Sequence, residues 1–249
     1  MIPDIVLAGF AAALLIGLMA LERHWPARRF PAVRGWSLMG SIFLAASLPI
    51  GGLTAFVLPL GWLGRHSLMT LEALPFALEL LIGFLVSTFC YYWLHRAQHR
   101  FDWFWRSGHQ LHHAIPRVDL AGTAFLHPTD LFLQIAVNIF ACAFVLGLSP
   151  QATAAVSVFA TVCGFFQHLN LRTPRWLALL VQRPEAHCVH HQIGLHAYNY
   201  ADFPLWDRLF GTFRNPAEWS GEAGYGTEAL HIADLLLMRD VSSKQPAIG

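Results

Sequence analysis

Three short clusters of histidine carry the chemistry open to this chain. His95 and His99 stand four residues apart in H-R-A-Q-H, His109, His112 and His113 follow in H-Q-L-H-H, and His187, His190 and His191 repeat that spacing in H-C-V-H-H. Side chains three and four residues apart on a helix share a face, so each cluster aims its imidazoles at one region. In a chain with only 16 Lys+Arg and 15 Asp+Glu, eight gathered imidazoles are costly to protonate together. Neutral rings that donate lone pairs to metal ions resolve that cost, with the second ring nitrogens held by carboxylates or carbonyls. One ion accepts about six ligands, so eight or more histidines point to a pair of ions. Nearly all-nitrogen ligation lacks the thiolates of iron–sulfur sites and the oxygen cage of magnesium or calcium, leaving iron, zinc, copper or nickel.

Further candidates lie outside the clusters. His168, in F-F-Q-H-L-N, ends an apolar stretch on the side where the clusters lie and reads as a ligand. His127, in F-L-H-P-T-D, is positioned to ligate or to orient a ligand, with Asp130 as an acceptor for a ring nitrogen, and His196 follows the third cluster by five residues. His24, His66 and His231 stand alone. The four cysteines form no C-x-x-C pair, so neither a disulfide framework nor a cysteine zinc site is expected. An H-E-x-x-H box is absent because Arg96 follows His95, yet a zinc hydrolase or isomerase built on the same histidines stays open. A metal site beneath apolar spans suits a lipid whose chain enters from the bilayer, and breaking its unactivated C–H bond calls for an oxygen-activating metal.

The rest of the chain must hold these side chains at a membrane. Of 249 residues, 55% are hydrophobic and 12% charged, about half the charged share of a soluble domain. Ile5–Leu21 is uncharged and closed by Glu22, Arg23, His24 and Trp25; Asp4 stands where a signal peptide carries basic residues, so this is a retained span. A second stretch, Trp36–Leu63, contains Pro49 and Pro59 and is too long for one upright helix, so a kink or an interfacial end is expected. A third runs from Leu74 to Leu94 and holds Glu79. Leu131–Leu148 and Ala152–Phe166, divided by Ser149 and Pro150, read as a helical hairpin.

With three crossings and a hairpin, Arg65 alone lies opposite the other 15 basic residues. The positive-inside rule then puts the N-terminus outside and the histidine clusters and C-terminal segment in the cytoplasm. A soluble helical protein has no reason to segregate charge in this way, and a metal-ion transporter would string polar residues across the spans, where Glu72 and Glu79 are nearly all there is. A net charge of +1 makes no electrostatic case for a nucleic-acid partner. The expectation is one all-α, multi-pass domain over 1–249, about three full spans plus a hairpin, with a cytoplasmic helical cap over a histidine-rich dimetal site. The tail, 241–249, is expected to fray.

These residues resemble the fatty acid hydroxylase and sterol desaturase superfamily of membrane di-iron enzymes. The three clusters look like its histidine boxes, F-Q-H-L-N (166–170) looks like its additional histidine segment, and N-Y-A-D-F-P-L-W-D-R-L-F-G-T-F (199–213) resembles the segment after its last box. The likeness spans about 74–213 as the catalytic region. It implies that His95, His99, His109, His112, His113, His168, His187, His190 and His191 hold two iron ions that activate O2, although zinc or another metal can occupy such a site. It implies hydroxylation of a lipid C–H bond, or desaturation, with electrons from a separate cytochrome, ferredoxin or reductase-type protein. The family pattern carries a further ligand shortly after the position of His168. Here Asn170, Leu171 and Arg172 stand there, leaving that place to a water held on Asn170, to His127, or open. Tyr91, Tyr92, Trp93, Trp103, Phe104, Trp105, Phe165 and Phe166 flank the boxes as a substrate lining or as interfacial anchors.

Overall fold

A computed structural model of the chain describes residues 4–226 and 230–242, with side chains from residue 13 onward, residue 14 excepted. The described residues are helical and contain no strand; one isolated bridge joins Gln192 to Ala223. Helix α1 (Asp4–His24) leads to α2 (Trp36–Val57), α3 (Leu60–Arg65) and α4 (Phe76–Arg100). The short α5 (Asp102–Phe104), a π-helical turn (Trp105–His109), α6 (Gln110–His113) and α7 (Leu120–Thr123) follow. The hairpin is α8 (Pro128–Ile139), continued by a π-helical segment (Phe140–Val145), and α9 (Pro150–Gln167). A cap carries α10 (Pro184–His190), α11 (Leu205–Leu209) and α12 (Ile232–Leu236).

Among the described residues, three helical units are long and apolar enough to cross a membrane: α2, α4 and the continuous run Pro128–Val145. The expected long second stretch divides at the second of its two prolines named above and not at the first. Pro49 sits inside α2, which stops at Val57, and Pro59 caps the separate α3. The first hairpin arm is as long as its apolar stretch suggested but begins and ends three residues earlier, α8 running without a break into the π segment. Only 11% of the most apolar stretch of α2 is buried, and Phe56, Leu48, Leu38 and Leu53 lie exposed on its outside. An apolar helix with so much of its surface uncovered belongs in lipid.

Helices α2, α4, α8 and α9 pack together as the bundle. At the end away from the histidines, Ser149 caps α9 by accepting from the Ala152 amide, and Pro150 takes the first helical position. Gly147 turns the chain with φ +58°, and a Cβ there would meet the Met69 carbonyl at 2.0 Å. Glu79, buried in α4, accepts from the Ser149 amide at 2.7 Å, so the intramembrane acid ties the hairpin turn to its neighbour. Cys142, Leu146, Leu148, Ala152 and Val156 form the apolar core of this end.

The other end is closed by the cap. Arg183, fully buried, donates to the Thr173 and Pro216 carbonyls and pairs with Glu185 at 3.0 Å, anchoring the start of α10. Val241, the first residue of the expected tail, is instead buried with Leu111, Tyr225 and Leu235, so fraying does not begin there. Residues 243–249 of that tail lie outside the described residues.

Candidate metal centre

Local spacing presents the histidines, and helix packing brings them together. His95 and His99 occupy the last turns of α4; His109 ends the π-helical turn, with His112 and His113 on α6; His187 and His190 lie on α10, with His191 at its end; His168 caps α9. All nine gather at one end of the bundle in two groups. His95, His99, His109, His113 and His190 form one, and His112, His168, His187 and His191 the other, with the potential ligand atoms of each group within 4.8 Å of one another. The groups are neighbours: the His113 and His191 rings stack with centroids 4.2 Å apart.

The sequence treats each box as a unit, and the structure divides two of the three. His109 and His113 face one group while His112 faces the other; His187 and His191 face the second group while His190 crosses to the first. Helix geometry gives the reason. At about 100° per residue, positions i and i+4 differ by about 40°, whereas i+3 lies about 60° to the other side of i. An i, i+3, i+4 box therefore serves two adjacent points, and two such boxes facing each other supply both.

The nitrogen geometry fits metal ions. His112 and His168 Nε2 lie 3.2 Å apart, His168 and His187 Nε2 3.2 Å, His187 and His191 Nε2 3.0 Å, and His109 and His113 Nε2 3.1 Å. Nitrogens at about 2.1 Å from a shared ion, at right angles, are separated by about 3.0 Å. Several rings are turned by contacts from their other nitrogen. Nδ1 of His95 donates to the Tyr200 carbonyl (2.6 Å), that of His190 to the Tyr198 carbonyl (2.7 Å), that of His168 to the Gly164 carbonyl (2.8 Å) and that of His109 to the Asp130 carboxylate (3.1 Å). Those bonds leave Nε2 as the lone-pair atom. Nε2 of His95, His99 and His190 is buried with no partner, an expensive state for a polar atom unless an ion meets it. Burial and neighbouring imidazoles hold His112, His113, His187, His190 and His191 well below the usual histidine range, and burial lowers His168 to about 4. The rings are neutral donors at physiological pH.

The remaining candidates take other parts. Asp130 is fully buried, accepts from Gln98 Nε2 at 2.7 Å and orients His109. Its approach is close because residue 108 is glycine: a Cβ there would meet the Asp130 Cβ at 2.9 Å. His196 lies behind His113, Nδ1 to Nδ1 at 3.0 Å, so it meets the back of that ring and not the convergence point. His127 stands outside both groups. Its Nδ1 caps α8 by accepting from the Thr129 amide, and its Nε2 donates to the Leu236 carbonyl. Asn170 is engaged elsewhere: its amide group exchanges hydrogen bonds with the Arg28 backbone.

Three features were not legible in sequence. Asp207 accepts from the Tyr200 and Ala201 amides (2.8 and 2.9 Å), pinning the strand-like turn whose carbonyls orient His95 and His190. Burial raises its carboxyl to about 6 against those hydrogen bonds. Tyr198 and Asn199 in that turn have positive φ, and Asn199 ties them to α10 through the Ala186 carbonyl. Nearby, Arg208 donates to the Ala178 carbonyl, and Arg214 lies over the Tyr198 ring. Of the flanking aromatics, Tyr91 and Phe165 line a cavity beside the centre, Tyr92 is buried against Phe210, and Trp93 and Trp103 are exposed.

That cavity, about 380 Å³, lies between α2, α4, α8 and α9. Leu44, Leu48, Ile135 and Phe165 are among its apolar walls, and His95, His112, His168 and His187 stand at its inner end, drawn from both groups. Leu48 is also exposed on the outer surface of α2, so the cavity reaches the face assigned to lipid.

Comparison with known proteins agrees with this arrangement. The chain is 30% identical to the ornithine lipid hydroxylase OlsE of Rhizobium tropici over 62% of its length and 47% of the relative's. It is 28% identical to sphinganine C4-monooxygenase 1 of Arabidopsis thaliana over 49% of the chain and 48% of that protein, and 31% identical to lathosterol oxidase of Rattus norvegicus over 66% and 50%. The match thus spans about half the length of each relative. No solved structure matches. The model of the fatty acid hydroxylase family matches residues 80–212, more than half of the chain and every one of the nine gathered histidines, so by its fold, its histidine boxes and this match the chain belongs to the fatty acid hydroxylase family.

Proposed function

We propose that this protein is an O2-dependent di-iron oxidoreductase that hydroxylates, or in a variant of the same chemistry desaturates, a C–H bond of a membrane lipid. The observation that carries the reading is the cavity between the spans, which ends on histidines of both groups. The relatives whose names speak of ornithine lipid, sphinganine and lathosterol support a lipid with a polar end as the substrate class.

Nine histidines would hold two irons, five on one and four on the other. When bound, the irons supply the O2 activation and hydrogen abstraction that no side chain can perform. The chain's own residues prepare for this chemistry. Tyr198, Tyr200 and Gly164 carbonyls and Asp130 hold ring protons on Nδ1, which keeps each Nε2 lone pair free. The apolar walls exclude water and align a chain beside the centre. A water held on Asn170 has no part in this reading.

The clusters face the cytoplasm in this proposal, with the N-terminus outside. Arg65 lies at the hairpin-turn end, while Arg96, Arg100, Arg117, Arg183 and Arg208 lie at the histidine end, which supports that orientation. Electrons come from a separate donor protein of the cytochrome, ferredoxin or reductase type.

The test is purification without chelators, then metal quantification and Mössbauer spectroscopy of reduced and oxygen-exposed protein. Two irons that oxidise together are expected. One zinc with no reactivity toward O2 overturns the reading.

A further inference from the structure

The cavity wall is not uniformly apolar where it meets the histidines. Asp202, Gln167 and Tyr91 line it beside His95 and His187. Asp202 is 7% exposed; its Oδ1 accepts from Gln167 Nε2 at 3.1 Å, and its Oδ2 has no partner among the described residues. No ion pair reaches it there. Tyr91, whose ring lies 5.4 Å from that of His95, has a hydroxyl with no hydrogen-bond partner among the described residues. Burial raises the Asp202 carboxyl to about 7.

A carboxyl with one amide for company in a mostly apolar chamber leaves an oxygen open to the cavity, as does a phenol without a partner. Other polar side chains of the same wall are matched: Ser87 donates to Asn138, and Asn138 to Ser157. The unmet capacity beside the centre is an acceptor at Asp202 and a donor at Tyr91. A group that meets both the Asp202 carboxylate as acceptor and the Tyr91 O–H as donor donates to the first and accepts from the second. Hydrocarbon does neither, an ammonium only donates, and a phosphate or carboxylate only accepts and would lie against the Asp202 carboxyl. A hydroxyl does both through a single oxygen.

We propose that Asp202 and Tyr91 form the receptor for a hydroxyl group of the lipid substrate, close to the carbon that is oxidised. The inference rests on the reading of the cavity as the substrate chamber. Tyr91 precedes His95 by one turn of α4, a rise of about 6 Å, so a lipid held there presents carbons only a few bonds from its hydroxyl. The enzyme is then selective for the head-proximal part of a hydroxylated lipid and not for the middle of a plain acyl chain.

The test measures retention without turnover. The full chain, solubilised with its metal as isolated, is equilibrated with deuterated 1-hexadecanol, hexadecane or hexadecylamine, separated from free probe, and the bound probe quantified by mass spectrometry. Comparing the alcohol-to-alkane ratio in wild type and variants cancels partition into detergent. Wild type is expected to prefer the alcohol about tenfold, and Tyr91→Phe and Asp202→Ala each to lower the ratio about 3- to 10-fold. If Asp202→Ala fails to fold, Tyr91→Phe decides alone. An unchanged ratio in a folded variant overturns the receptor, as does tighter retention of the amine than of the alcohol by wild type. A zinc-loaded protein inert to O2 that keeps the ratio would lose the oxygenase reading and retain the receptor; two irons with a flat ratio would do the reverse.

Discussion

The two ends of the helical bundle both bury polar side chains, and they do so to opposite effect. At the hairpin-turn end Glu79 accepts from the Ser149 amide, and midway along the bundle Asn138 sits between Ser87 and Ser157. Those groups are matched by the protein itself and hold helices together. At the histidine end, Nε2 of His95, His99 and His190 and Nδ1 of His112, His187 and His191 are buried without protein partners, and Nε2 atoms crowd within 3.0–3.2 Å of one another. Where the Nε2 atoms converge, a group from outside the chain can meet several of them at once. A matched buried polar group is part of the scaffold, and an unmatched one facing its like is a binding site.

The sharpest way to break this contrast is to remove a ligand from either group. His112→Ala and His190→Ala are each expected to lower turnover at least about 100-fold and to release metal while the protein still inserts. Metal quantification and product analysis check this, and a fully active His112→Ala protein would sink the assignment. Acid should separate the two ends next. Burial holds His168 and His196 near 4, and neighbouring rings add to burial for His112, His187 and His191. Because these values lie below the unfolded value of about 6.5, the unfolded chain binds more protons between the two. Stability of the metal-free protein is therefore fully present above about pH 6.5 and falls progressively toward about pH 4. A melting temperature insensitive to pH across that window would contradict neutral buried rings.

Smaller effects refine the comparison. Asp130→Ala removes the acceptor that orients His109 and should weaken metal in the five-histidine group about 10- to 100-fold while sparing the other. At limiting metal the content should then fall from two ions to one; equal loss from both groups would show that the two are not independent. Glu79→Ala should destabilise by about 1–2 kcal/mol in thermal unfolding with metal content unchanged. His127→Ala should cost about 1 kcal/mol, the worth of a helix cap, and leave metal in place. Metal loss in His127→Ala would restore it as a ligand.

Much of the scaffold is legible from local pattern. The hairpin turn at Ser149 and Pro150, the division of the second stretch near Pro59 and the helices beneath the histidine clusters all follow from residues close in sequence. The partners of outlying polar residues do not. His127 and Asp130 stand three residues apart in the same motif, yet one caps α8 and the other reaches the centre, because only Asp130 projects toward Gln98 and Gly108. Asn170 follows His168 by two residues, but the chain has already left α9 there, and its side chain turns to Arg28, 142 positions away. The role of Asp207 takes form only when the turn at Tyr200 folds over it.

Sequence alone determined that the chain has apolar spans, charge segregated along it, and histidines at metal-ligand spacing, since hydropathy and helical repeat are local properties. Tertiary structure decided which nitrogens meet. The crosswise sharing of the second and third boxes arises only when α6 and α10 face each other, as a 60° step from i to i+3 gains meaning from what stands opposite it. The cavity ending on both groups, and the unmatched Asp202 and Tyr91 in its wall, are likewise products of four helices meeting and not of any one segment.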